Sequence, residues 1–241
     1  MAHTHFRSPW LLPTVLSTTA GAVDVIGFLA LGGLFTAHIT GNVVIVAAHY
    51  VTGGFSQIGP LLAVPVFMAV MGLVTLASNA IARAGSYPLR PLLLLQTALL
   101  AGFLLLGVGF GRFADADSSM AVLAGMLGVA AMATQNVLVK LALKDTPSTA
   151  VMTTNITQLT VDLATLVRSG GDPGELAKVR RRARMTFACV IGFVAGCAAG
   201  AALEVRFGLW ALTLPVLLSA LAVPLGRVEE CRKAMPFGGI S

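Results

Sequence analysis

The chain alternates between long apolar segments and short polar ones. Each long segment approaches the ~20 residues that an α-helix needs to cross the core of a bilayer. The pattern predicts an all-α, polytopic integral membrane protein with six full transmembrane helices, covering residues 10–31, 61–82, 91–110, 120–143, 185–203 and 207–225.

Two shorter apolar segments lie between these six, each after a polar break. The first, at 40–52, would be only ~20 Å long as a helix, which is too short for the ~30 Å hydrocarbon core. The second occupies the corresponding place before the basic loop 178–184. Both are predicted to be short broken or re-entrant helices. If both crossed the membrane instead, the chain would have eight spans.

The first break, residues 32–42, is the most informative stretch. It places two Thr, one His, one Asn and three Gly between segments apolar enough to lie in lipid. An unsatisfied backbone N–H or C=O costs several kcal/mol in hydrocarbon, so irregular backbone survives there only beside protein or a water-filled cavity. The stretch therefore predicts a broken helix that lines a site.

Two weakly similar halves appear when the chain is aligned with itself. Residues 23–31 align with 135–143, and residues 36–47 align with 153–164, with polar residues opposite polar ones. Repeated spans with broken helices are typical of secondary transporters. The alignment predicts a single membrane domain, 1–241, with inverted halves at about 10–112 and 119–225 and a flexible tail at 227–241.

Composition and charge limit the class of protein. Only 11% of the residues are charged and 56% are hydrophobic, which leaves no room for a large soluble domain. The net charge of +6 comes from Lys and Arg between the apolar segments, where the positive-inside rule places them. With six spans and both termini cytoplasmic, only Arg112 and Arg206 of the 16 basic residues would lie outside. We therefore expect a lipid bilayer, and no nucleic acid, as a partner.

A long motif in the first half is shared with a known family. It consists of Gly21 and Asp24, followed by Phe28-Leu29-Ala30-Leu31-Gly32-Gly33-x-Phe35-Thr36-x-x-x-Thr40-Gly41-Asn42. In this motif, and in the spacing of the later apolar segments, the chain closely resembles the YoaK-like family of bacterial membrane proteins. The resemblance implies a multi-pass protein of the bacterial inner membrane, often described as a permease, and implies no substrate.

Asp24 is a carboxylate inside the first predicted span. Such a group costs roughly 2.5–3.5 kcal/mol on insertion scales and usually faces a bundle interior or a cavity. Asp24 is a candidate for proton coupling or cation binding, or it accepts hydrogen bonds from backbone N–H groups freed by the break. His38 relays protons with Asp24, contacts the substrate, or is a buried neutral imidazole hydrogen-bonded to backbone.

The other candidates are polar residues of both breaks. Free N–H groups and the helix dipole at the start of each short helix would favour an anion or a small zwitterion, and simple capping by Thr is the alternative. The full set is Asp24, Thr36, His38, Thr40, Gly41, Asn42, Gln135, Asn136, Thr153, Asn155, Thr157, Gln158 and Asp162, of which Asp162 is expected to pair with Lys140 or Arg168.

The remaining patterns are structural. No motif of an enzyme, a metal site or a cofactor site stands out, so we expect neither catalysis nor a cofactor. Cys189 and Cys197 are interpreted as small packing residues. Gly192, Gly196 and Gly200 form a small-x-x-x-small ridge that brings helices together, within one chain or in a homodimer.

The sequence favours a small secondary transporter, or permease, of a small polar or anionic solute, with its site between the two breaks near the membrane midplane. One alternative is a membrane scaffold or sensor that binds a partner through 178–184. A channel is the other, since polar breaks also build selectivity filters.

Overall fold

The computed structural model describes residues 10–52, 58–109, 116–144, 146–168 and 172–234, with side chains up to residue 230. These residues form eight α-helices and one short 3-10 helix, Gly208–Leu212, between the last two. The α-helices are α1 (Leu11–Ala30), α2 (Ile39–Thr52), α3 (Ile58–Arg83), α4 (Leu89–Gly109), α5 (Ser119–Ala142), α6 (Met152–Val167), α7 (Pro173–Phe207) and α8 (Thr213–Ala234).

Five helical stretches are long and apolar enough to span a membrane, which confirms an all-helical, multi-pass architecture in the described part of the chain. Four of them are α1, α3, α4 and α5. The fifth, Pro173–Glu230, contains both α7 and α8. Its 58 residues would measure ~87 Å as one helix. The chain instead turns at Gly208, whose φ of 59° is a left-handed value that glycine adopts freely.

Two helices form the centre of the bundle. Most of α1 and α5 is buried, whereas only a minor part of α3 and α4 is buried. The exposed side chains of α3 are apolar, among them Met68, Leu73 and Leu76. An outer surface of this kind is expected where lipid rather than water surrounds the protein.

The contacts between helices follow a repeated pattern, in which α1, α2, α3 and α4 correspond to α5, α6, α7 and α8. Helix α1 packs against α7 and α8, and α5 packs in the same way against α3 and α4. The short helix α2 lies on α3, and the short helix α6 lies on α7. Each of these helix pairs therefore has a counterpart in which the two halves of the chain are exchanged.

The glycine ridge of α7 fits against the backbone of α1. A Cβ added at Gly196 would run into the carbonyl oxygen of Thr18, and one added at Gly200 would lie 3.0 Å from the Cα of Ala22. On the facing helix, a Cβ at Gly21 would collide with α7 backbone in turn. This confirms that the ridge brings helices together. It does so within one chain, so the ridge gives no support to a dimer.

Two segments that were predicted to be irregular are helical. The basic loop 178–184 lies inside α7, and the tail is helical from residue 227 to Ala234, while 235–241 lie outside the described residues. Asp172 caps α7, since its Oδ2 accepts a hydrogen bond from the Glu175 N–H at 3.1 Å, and Pro173 occupies the first helical position. Lys, Arg and Ala then continue the helix because they are strong helix formers.

Asp162 joins α6 to α7, but not through the predicted partners. Its buried carboxylate receives hydrogen bonds from Arg182, at 2.6 Å from Nη2 and 2.9 Å from Nε, rather than from Lys140 or Arg168. Gln158 donates a further hydrogen bond at 2.8 Å. The pairing was missed because residues 178–184 were assigned to a loop.

We expect Arg182→Gln to weaken the attachment of α6 by about 1–3 kcal/mol, because Asp162 would stay buried without a charged donor. Thermal unfolding in detergent and protease sensitivity within α6 would measure the effect. Arg181→Gln, at the neighbouring exposed position of α7, is the matched control. Equal stability of the two variants would mean that this ion pair does not hold α6.

Candidate functional site

The first break turns the chain back along the end of α1. The helix ends at Ala30, and the Leu31 N–H still donates to the carbonyl of Gly27 at 2.9 Å. Gly32 and Gly33 follow with φ values of 60° and 87°. Side chains other than glycine are strained in this region. The turn brings the residues before α2 alongside α1.

Two contacts hold the break in place. The Asn42 side chain accepts from the Phe35 N–H at 2.9 Å and donates to the Phe35 carbonyl at 2.7 Å, so it satisfies both backbone groups of that residue. A Cβ added at Gly27 would lie 3.0 Å from Cγ2 of Thr36, so a glycine at that position lets the break approach α1 closely. Asn42 is therefore a structural clamp.

Asp24 is the anchor for the returning chain. Its side chain is only 5% exposed. Oδ1 accepts from the Ala37 N–H at 2.7 Å, and also, at 3.4 Å, from the His38 N–H and the Thr36 hydroxyl. The carboxylate thus satisfies backbone donors just before the start of α2, the structural role that the sequence left open.

His38 completes the arrangement. Its Nδ1 lies 2.6 Å from Oδ2 of Asp24, and its side chain is 38% exposed. An ionised Asp24 requires a hydrogen on Nδ1, which leaves Nε2 as the nitrogen that gains or loses a proton. The structure therefore brings together a buried carboxylate and a partly exposed imidazole in direct contact.

The Asp24–His38 pair lies in an open cleft of about 510 Å³, called here the acidic cleft. Two aromatic rings meet the imidazole edge-on, Phe35 with centroids 6.1 Å apart and Phe193 with centroids 5.5 Å apart. Phe28 packs on Phe35, with ring centroids 4.7 Å apart. The remaining lining residues are Val25, Thr40, Gly41, Val44 and Cys197.

Sequence reasoning missed the contribution of α7 to this cleft. Phe193 and Cys197 were not predicted as lining residues, and Cys197 had been assigned to packing alone. Each directly follows a glycine of the ridge, Gly192 or Gly196. A residue next to such a glycine lies at the edge of the contact between the two helices. The glycine ridge was therefore the sequence signal that could have identified Phe193 and Cys197.

The second break contains a related clamp. Asn155 donates to the carbonyl of Ser148 at 2.6 Å, and both Asn clamps bind the residue seven positions earlier. Asn155 therefore corresponds to Asn42. The alignment from sequence, which put Asn155 opposite His38, is displaced by four residues.

A glutamine network takes the place of the Asp24–His38 pair in the second half. The amide of Gln135 donates to the Thr149 hydroxyl at 2.8 Å and to the Leu16 carbonyl at 3.0 Å. Its oxygen accepts from Gln96 at 2.6 Å. All three side chains are buried. The network contains no titratable group, so it is suited to holding helices together.

The other predicted residues of the second half lie elsewhere. Thr153 and Thr157 are exposed, and the Thr157 hydroxyl donates to the Thr153 carbonyl within α6. Asn136 donates to the Met132 carbonyl of its own helix, although it also lines a second cavity, of about 400 Å³. That cavity and the acidic cleft share no lining residue. The two breaks therefore do not converge on one site.

The described residues were compared with the side-chain clusters that bind metal ions. Within the ranges that the structure describes, there is no group of three or more His, Cys, Asp or Glu side chains arranged around a common point.

Comparison with known proteins identifies the family. The profile of DUF1275, described as a protein of unknown function, matches residues 12–225. The chain belongs to the DUF1275 family. It is 41% identical over 63 residues to UPF0700 transmembrane protein YoaK of Bacillus subtilis (strain 168), an alignment that covers 26% of this chain and 24% of that protein. No solved structure matches the chain.

These matches confirm the resemblance to the YoaK-like family. They also support a multi-pass membrane protein, because the matched relative is described as a transmembrane protein. The aligned part is about a quarter of each chain. The comparison therefore supports family membership and a membrane location, and no other property of the relative is transferred.

Proposed function

We propose that this protein is a small secondary transporter that couples solute movement to protons through Asp24 and His38. The observation that carries the proposal is a carboxylate buried in the membrane-length helix α1 and bonded to an imidazole that opens into a cleft. Ionisable groups inside membrane helices are costly, and they commonly mark ion or proton pathways.

The coupling step uses the free nitrogen of His38. A proton from the cleft adds to Nε2 and converts the imidazole into an imidazolium, which Asp24 stabilises at 2.6 Å. Loss of the same proton restores the neutral ring. Asp24 orients the ring throughout.

The lining of the acidic cleft favours a cationic solute over an anionic one. Asp24 contributes a carboxylate to the lining, and Phe28, Phe35 and Phe193 contribute aromatic rings, whose electron-rich faces attract cations. A bound cation and an imidazolium repel each other, so each displaces the other. The protein is accordingly proposed to exchange an organic cation for a proton, rather than to carry the polar or anionic solute expected from sequence.

Alternating access would follow from inverted halves. The exchange of helix pairs between the two halves supports such a repeat. In the first break, Leu34 lies beside Gly59 of α3 and Gly125 of α5, whereas the second break follows the other end of α5. The positions of the breaks near opposite ends of α5 support the proposal that they lie towards opposite membrane faces, as inverted repeats require. Six spans, cytoplasmic termini and an inner-membrane location complete the proposal.

Proteoliposomes test this function. We expect uptake of benzyltrimethylammonium, a permanent cation with an aromatic ring, when the lumen is more acidic than the bath, together with proton efflux reported by an internal pH dye. Benzenesulfonate, an anion of similar size, is expected to show no such uptake. In the His38→Gln variant we expect the proton-driven component to disappear.

His49→Gln is the matched control, because His49 lies on α2 outside the lining of the acidic cleft. Equal uptake of the cation and the anion would argue against the proposed solute class. The same proton-driven uptake in His38→Gln and in the wild type would argue against proton coupling at this pair.

A further inference from the structure

The second cavity differs in charge from the acidic cleft. It lies where α5 ends and the second break begins, opposite Met71 of α3, with a volume of about 400 Å³. Its other lining residues are Asn136, Val139, Lys140, Lys144, Thr146, Ser148, Val151 and Thr154. Two of these described lining residues are lysines, and none of them is a carboxylate.

Neither lysine is neutralised by another described residue. Lys140 and Lys144 are both exposed, and neither forms an ion pair with another side chain in the described ranges. Two ammonium groups on one cavity repel each other unless an anion lies between them. A group with two negative charges would relieve this repulsion more than a single carboxylate would.

Hydroxyl groups add directional donors to this charge. The Ser148 oxygen accepts from the Val151 N–H at 2.8 Å, so its own hydrogen remains available to donate. Thr154 supplies a second hydroxyl on the same wall. Ammonium and hydroxyl donors spread around a cavity match a ligand with several acceptor oxygens, as a phosphate group has.

From this donor set we propose that the second cavity binds a phosphate group, carried by a soluble phosphorylated solute or by the headgroup of a phospholipid. The self-alignment puts Lys140 of α5 opposite Phe28 of α1, so the second cavity has an ammonium group where the acidic cleft has an aromatic ring. Phosphate binding there does not depend on whether Asp24 couples protons.

Binding to the full-length protein in a maltoside detergent, which contains no phosphate, tests this site. Glycerol 3-phosphate with glycerol as its control probes the soluble source, and phosphatidic acid with diacylglycerol probes the lipid source. We expect one phosphate-bearing probe to raise the unfolding temperature, while the neutral control does not. In Lys140→Gln/Lys144→Gln its affinity should fall at least about tenfold, the effect of losing charged hydrogen bonds.

The matched control is Lys178→Gln/Arg180→Gln, which removes the same charge from exposed positions of α7. It should change the affinity by less than about threefold, because exposed charges act weakly over distance. Lys140→Arg/Lys144→Arg keeps the charge and should retain binding, which separates loss of the site from misfolding. The assignment would be overturned if Lys140→Gln/Lys144→Gln and Lys178→Gln/Arg180→Gln lowered the affinity for the probe equally. It would also be overturned if no phosphate-bearing probe raised the unfolding temperature.

Discussion

The Asp24→Asn variant should fold normally and lose the pH dependence of transport. An Asn oxygen can still accept from the Ala37 N–H, and its amide can donate to Nδ1 of His38. The neutral side chain, however, cannot stabilise an imidazolium. We therefore expect a loss of stability of only about 1–2 kcal/mol, from replacing charged hydrogen bonds by neutral ones, and a flat profile of uptake against pH.

Thermal unfolding and uptake would be measured on the same liposome preparations across the pH range in which histidine titrates. Asp172→Asn is a suitable control, since Asp172 is an exposed cap of α7. An Asp24→Asn protein that unfolds without a separable effect on uptake would leave Asp24 with the structural role of holding the break. A wild-type pH profile in this variant would remove the carboxylate from the coupling step.

Gly196→Ala should damage the fold more than alanine at either of the other ridge glycines, Gly192 or Gly200. Its Cβ would run into the Thr18 carbonyl oxygen, and backbone cannot move aside as a flexible side chain can. Overpacking costs typically 1–3 kcal/mol and occasionally more, and this site lies at the upper end because α1 and α7 are in contact along much of their length. We expect a large fall in unfolding temperature, or loss of monodisperse protein on size-exclusion chromatography.

Gly72→Ala on α3 gives the comparison. No atom lies within 4 Å of a Cβ added there, and alanine is the better helix former by about 1 kcal/mol. This variant should be as stable as the wild type or slightly more stable. If Gly196→Ala matched it, the close contact between α1 and α7 would not limit stability.

The parts of the site that are local in the chain could be predicted from the sequence. Asp24 and His38 are only 14 residues apart, on either side of a glycine turn. Polar residues at membrane depth identified this turn, because unsatisfied backbone is so costly there. The clamp formed by Asn42 lies in the same segment. Asn42 was predicted as a binding or coupling residue, but the structure uses it to hold the break.

The parts that depend on distant contacts could not be predicted. Phe193 reaches the acidic cleft only because α7 packs on α1, and no local pattern reveals that pairing. The same holds for Arg182, because its partner Asp162 lies on a different helix, 20 residues earlier in the chain. Segment 178–184 was misassigned because its charges suggested a loop, although Lys and Arg favour helix.

The separation of the two breaks also follows from tertiary structure. Both breaks were predicted between the correct pairs of helices, although Thr153 and Thr157, assigned to the second break, lie in α6. The sequence does not reveal at which end of the bundle each break lies. The contacts of Leu34 with Gly59 and Gly125 place the first break beside the start of α3. Two cavities of different charge follow from this arrangement, in place of the one shared site that was predicted.

The helix that carries Asp24 is synthesised long before the helix that covers it. Phe193 leaves the ribosome about 170 residues after Asp24, which takes roughly 10–30 s at 5–20 residues per second. Throughout that interval the first helix has to remain in the membrane without α7. The donors of Ala37 and His38, which emerge within 14 residues, can bind the carboxylate almost at once. The first break can therefore satisfy the Asp24 carboxylate during membrane insertion, before α7 has packed on α1.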